Sequence, residues 1–94
     1  MIYLIREEKD MGFRCPVCNY DNLFEPPYSK GGNGSHEICP CCGFQFGYRD
    51  FPDKEEGQKS WRENWISNGC PWHSKRRLPP DGWNYKKQIE GLQI

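Results

Sequence analysis

Two pairs of closely spaced cysteines, an excess of aromatic rings and one tryptophan stripe at helical spacing predict a small metal-stabilised α+β domain. The chain has 94 residues, which is room for one domain. A domain of that size buries only about two-thirds of the surface its unfolded chain exposes, so it needs help beyond a hydrophobic core. Only 35% of the residues are hydrophobic, which increases the need. Four Trp, five Tyr and five Phe can build a core from few positions. Six cysteines are the candidate staple.

The pairs read Cys15-Pro16-Val17-Cys18 and Cys39-Pro40-Cys41-Cys42, with 20 residues between them. C-x2-C-x20-C-x2-C falls within the spacing of a structural zinc site. Two cysteines three positions apart can put both sulfurs on one ion when the chain turns sharply between them. Proline in second place presets φ for that turn. The residue after the second cysteine favours φ > 0, which Gly43 supplies freely and Asn19 tolerates. Two such turns face to face offer four thiolates in a tetrahedron. The reading is therefore a zinc ribbon, a rubredoxin-like two-knuckle β core, with one Zn2+ on Cys15, Cys18, Cys39 and Cys42. Iron takes the same four ligands and stays open as a substitute. A thioredoxin-like site needs a single CxxC opening a helix, and an iron–sulfur cluster usually spaces its cysteines otherwise.

Cys41 lies inside the second turn, where pairing with Cys39 or Cys42 has poor geometry; it is expected as an exposed or half-exposed free thiol. Cys70, between Gly69 and Pro71-Trp72, is expected as a small buried hydrophobe. His36 and His73 are not expected to ligate.

The elements follow in order. Residues 1–11 form a lead-in or an edge strand, since Ile2-Tyr3-Leu4-Ile5 is rich in β formers. Residues 12–50 form the ribbon. Within it, short strands over 12–14 and 21–24 flank the first knuckle. Residues 25–35 are a loop of Pro, Gly and Ser. Strands over 36–38 and 44–48 flank the second knuckle, with Phe44, Phe46 and Tyr48 on one face by alternation. Residues 51–94 are the helical part of the same domain. Asp53 caps a helix with Glu55 and Glu56 in its first turn. Trp61, Trp65 and Ile66 form its apolar stripe, and Gly69 ends it. Asp81 caps a second, short helix running to about residue 91.

Four stretches resemble the bacterial cysteine-rich CPCC family of small zinc-ribbon-like proteins. They are Cys15-Pro16-Val17-Cys18 with Tyr20; Glu37-Ile38-Cys39-Pro40-Cys41-Cys42-Gly43-Phe44; Trp61-Arg62-Glu63-Asn64-Trp65 ahead of Gly69; and Pro79-Pro80 before Trp83-Asn84. Members often carry an acidic run after the second knuckle, where this chain has Gly47-Tyr48-Arg49-Asp50. The resemblance implies the ribbon and a bacterial source, and brings no activity with it.

Charge narrows the function classes. Thirteen basic and thirteen acidic groups cancel, which argues against a strong polyanion binder. No apolar run approaches the roughly 20 residues of a bilayer span. The acidic start after Ile5 does not read as an export signal, so a cytoplasmic location is expected. A closed four-thiolate site serves structure rather than catalysis. The leading expectation is a non-enzymatic module acting through a protein partner, with Tyr28, Trp72 and Trp83 as candidate contacts. The alternative is weak nucleic-acid binding through Trp72, His73 and Lys75-Arg76-Arg77, with Lys86-Lys87 nearby. A thiol-dependent enzyme or redox protein, drawing on Cys41, Cys70, His36 or His73 with Glu63 and Asp50, ranks last, because a chain this short has little room for a pocket.

Overall fold

The computed structural model describes residues 12–92; the expected lead-in or edge strand at 1–11 lies outside them. Two tight cysteine turns come first, followed by helices α1 (Lys54–Ser67) and α2 (Tyr85–Ile89). The architecture is small and α+β, but its β part is slight. Among the described residues, antiparallel pairing amounts to isolated bridges of Phe13 with Leu23, Tyr28 with Gly34 and Ile38 with Gln45. The strands expected on either side of each knuckle are reduced to these contacts. Each arm has only a few residues before the chain must turn again, and Pro26-Pro27 removes two ladder donors just after Phe24.

One strand expectation fails for a specific reason. Tyr48 does not share a face with Phe44 and Phe46: those rings are fully buried and Tyr48 is 63% exposed. Gly47 takes φ +92°, and the amides of Tyr48 and Arg49 both donate to the Gln45 carbonyl. This turn ends the alternation one residue after Phe46.

The α1 helix follows its sequence signals closely. The Asp53 carboxylate accepts from the Glu56 amide at 3.1 Å, and Glu55 and Glu56 occupy the first turn. At the other end Gly69 has φ +92°, its amide donates to the Ile66 carbonyl, and the Cys70 amide donates to Trp65. This is the paired hydrogen-bond pattern of a glycine-terminated helix. Trp65 is buried, and Trp61 and Ile66 pack against the core beside it. The Trp61 ring meets Phe44 edge-on at 5.9 Å, and Phe44 lies 5.4 Å from Phe46. The tryptophan stripe thus sits on the aromatic residues that leave the second knuckle.

The second helix starts later than its sequence suggests. Asn84, not Asp81, is its cap, accepting from the Lys86 and Lys87 amides. Residues 80–83 form a turn instead, with Gly82 at φ +75° and the Trp83 amide donating to Pro80. No helix can begin until that turn is complete. Beyond Ile89 the Leu92 amide bonds back only three residues, and the helix stops.

Candidate metal centre

The two knuckles are built alike. In the first, the Cys15 amide donates to Tyr20 and the Asn19 amide to Cys15, at 2.7 and 2.9 Å. In the second, the Cys39 amide donates to Phe44 and the Gly43 amide to Cys39, both at 2.9 Å. Asn19 at φ +73° and Gly43 at φ +85° supply the left-handed residue that the sequence called for in each turn. At Gly43 space matters as well as backbone conformation. A Cβ there would lie 2.7 Å from His73 Nδ1, so the ring of His73 as well as the backbone requires glycine.

These turns bring Cys15, Cys18, Cys39 and Cys42 to one point. Their sulfurs all lie within 4.8 Å of one another. Cys15 to Cys42 is 4.0 Å and Cys18 to Cys39 is 3.7 Å. A tetrahedral ion with bonds of about 2.3 Å to sulfur needs sulfurs about 3.8 Å apart. The donor set therefore fits a thiophilic metal ion. All four side chains are sealed, none more than 5% exposed.

Electrostatics point the same way. Burial pushes the Cys18 and Cys42 thiols well above their ordinary range. Burial also opposes ionisation of Cys39, but hydrogen bonds from Cys15, Cys18 and Cys42 outweigh it and hold Cys39 below that range. Ionising Cys18 and Cys42 in so dry a site is costly unless a positive charge lies beside them.

The helical part grips both knuckles. Arg62 donates from Nε to the Val17 carbonyl at 2.7 Å and from Nη2 to Pro16 at 2.8 Å. Trp61 Nε1 donates to the Cys42 carbonyl at 2.9 Å. From α2, Gln88 Nε2 reaches both the Cys18 carbonyl, at 2.9 Å, and the Cys41 sulfur, at 3.3 Å. Sequence reasoning missed Arg62 and Gln88 as supporting residues. Arg62 adjoins the tryptophan stripe, which was a usable signal; nothing local marks Gln88.

Cys41 corrects an expectation. It is fully buried rather than exposed or half-exposed. The Gln88 amide covers its sulfur, and the amides of His73 and Ser74 fold back onto the Pro40-Cys41 carbonyls. Cys70 is buried, as expected. His36 and His73 are exposed and lie outside the four-sulfur cluster.

Tyr28, Trp72 and Trp83 are half-buried and pack against the core. Among the described residues the exposed Phe and Tyr rings are instead Phe13, Phe24, Tyr48 and Phe51. The surface also has more relief than the length suggested. An open hollow of about 400 Å³ adjoins Cys15, Pro16 and Arg62, and another of about 330 Å³ lies beside Tyr28 and Asp50.

The fold and the site together define a small domain in which two cysteine turns present four buried thiols with metal-site geometry. No family model matches the chain, and no solved structure matches it significantly. It is 33% identical over 70 residues to the uncharacterized protein YoaQ of Bacillus subtilis (strain 168). That match covers 61% of this chain and 59% of YoaQ, so the chain spans about three-fifths of that relative's length. It is 26% identical over 83 residues to the uncharacterized protein YozI of the same strain, covering 73% of this chain and 69% of YozI. No helix of the described residues is long and apolar enough to cross a membrane.

Proposed function

We propose that Cys15, Cys18, Cys39 and Cys42 bind one zinc ion as a structural cross-link, and that the domain is a zinc ribbon of the CPCC type working as a non-enzymatic module on a protein partner. The observation that carries the metal reading is the sulfur spacing, 3.7 and 4.0 Å against the roughly 3.8 Å of a tetrahedral thiolate site. Iron fits the same spacing, and metal analysis separates the two. The near-complete burial of the four thiols shields the sulfurs from solvent, which supports a structural role over a catalytic one.

A protein partner is favoured over nucleic acid by the fate of the basic aromatic patch. The Trp72 ring is packed between Tyr20 and Trp83, at 5.5 and 5.1 Å. Arg77 donates to the Asn22 carbonyl and pairs with Glu37 at 3.6 Å. The ring best placed to stack on a base and one of the three consecutive cations are thus already engaged. Elemental analysis of the purified protein should find one zinc per chain, and polarisation titrations with single- and double-stranded oligonucleotides in low salt should show no binding at tens of micromolar. Metal-free protein that keeps a dispersed NMR spectrum would overturn the structural role. Salt-sensitive oligonucleotide binding would transfer the functional reading to nucleic acid.

A further inference from the structure

The C-terminal segment makes contacts that a merely space-filling helix would not need. One side chain, Gln88, touches both cysteine turns, through the Cys18 carbonyl and the Cys41 sulfur. Its orientation is fixed from two sides. Trp83 Nε1 donates to Gln88 Oε1 at 2.8 Å, and Asn19 Nδ2 donates to the Gln88 carbonyl at 2.7 Å. Asn19 is the left-handed residue of the first knuckle, so side chain and backbone of Gln88 hold that knuckle together. Trp83 is itself held edge-on to Trp72.

The second knuckle has a particular problem that this arrangement addresses. Three of its four residues are cysteines, and all three are buried. A buried third sulfur beside a thiophilic ion is a competing ligand. Gln88 Nε2 donates to Cys41 and ties that sulfur to an amide whose own position is fixed by Trp83. Hydrogen bonds to groups around a metal's ligands orient the site, and their loss typically weakens metal binding by about 10- to 100-fold.

We infer that α2 is a strap over the metal centre and that Gln88 is its positioning residue, closing the two knuckles on each other and keeping Cys41 out of the ligand set. This rests on the four-cysteine metal reading. It concerns how fast the ion leaves and which sulfurs hold it, rather than whether one is bound.

The test compares zinc-loaded wild type with Gln88→Leu, which keeps volume and removes the amide, and with Trp83→Phe, which removes the donor that orients it. Zinc transfer to a chromogenic chelator should speed up on the order of tenfold in Gln88→Leu and by less in Trp83→Phe, with one zinc per chain retained in both. With cobalt in place of zinc, Gln88→Leu should show an altered thiolate-to-metal absorption that Cys41→Ala in the same background restores. Lys59→Ala breaks an exposed ion pair with Glu63 on α1, touches neither knuckle and serves as the control; its transfer rate should stay within about twofold of wild type. Unchanged transfer and absorption in both Gln88→Leu and Trp83→Phe, at one zinc per chain, would overturn the strap and leave the metal reading standing. Wild type that binds no metal would remove both. If Gln88→Leu does not fold, Trp83→Phe decides by the same measurements.

Discussion

Trp61 and Arg62, neighbours on α1, hold opposite cysteine turns: the indole of Trp61 donates to the Cys42 carbonyl, and the guanidinium of Arg62 donates to Pro16 and Val17. Stability should respond to each contact separately. Trp61→Phe keeps a ring against Phe44 but leaves the Cys42 carbonyl without its indole donor. It should cost about 1–3 kcal/mol, read from chemical unfolding of the metal-loaded protein. Arg62→Met, which keeps the stem and loses two charged donors, should cost a similar amount.

Removing a sulfur should be far more severe. Structural zinc contributes on the order of 10–16 kcal/mol in small zinc-finger peptides, more than the whole stability of many small domains. Cys15→Ser and Cys42→Ser should therefore abolish the cooperative thermal transition, and a strong chelator should do the same to wild type. Cys70→Ala removes a buried thiol outside the cluster and should leave metal content at one per chain.

Gly43 and Gly69 form a matched pair. Both have positive φ, +85° and +92°, but a Cβ at Gly43 meets the His73 ring at 2.7 Å, whereas one at Gly69 meets nothing within 4 Å. Gly69→Ala should cost about 1–2 kcal/mol from the backbone alone. Gly43→Ala should cost more, because His73 must also move. Gly43→Ala together with His73→Ala should return most of the difference, which a double-mutant cycle measures directly.

A pH prediction comes from Tyr28. Its hydroxyl donates to the buried Asp50 carboxylate at 2.5 Å and accepts from Gln58. Burial first, and then the bond to Asp50, push the Tyr28 hydroxyl above its ordinary value of 10.0. An acid whose pKa is higher in the folded state stabilises the fold fully below the unfolded value and loses that contribution as pH rises towards the folded one. The stability gap between wild type and Tyr28→Phe should thus be constant from neutral pH up to about pH 10 and shrink above it; it should also shrink in acid, where Asp50, held below its ordinary range in part by the Tyr28 bond, takes up a proton. At neutral pH it should be about 1.5–3 kcal/mol, as for hydrogen bonds to charged groups.

What could be read from the sequence was whatever rests on neighbours along the chain. The two C-x2-C turns, the left-handed residues Asn19 and Gly43, the Asp53 cap and the Gly69 stop are each set within a few positions, and the repeat of the same turn 20 residues on pointed to a shared site. The burial of Cys41 was not legible, because it depends on Gln88 and on His73, 47 and 32 residues further on. Tyr48 was misplaced because period-two alternation says nothing about where a glycine turn will interrupt it. The late start of α2 has a similar origin: Asp81 is an acceptable cap in isolation, but Gly82 and Pro80 claim it for a turn. The slight β content reflects arms too short to build a ladder, which a list of β formers does not reveal.

The adjacency of Trp61 and Arg62 has one more consequence. Consecutive residues of a helix are separated by a fixed rise of about 1.5 Å. Both turns are therefore tied to one stiff rod, and widening their gap has to bend α1, shift the Trp61 or Arg62 side chain, or release one of the turns. An ion of larger radius, with longer bonds to sulfur, would have to work against that rod. Any preference of the four sulfurs for an ion of one size would then depend on the helix outside the cluster as well as on the sulfurs.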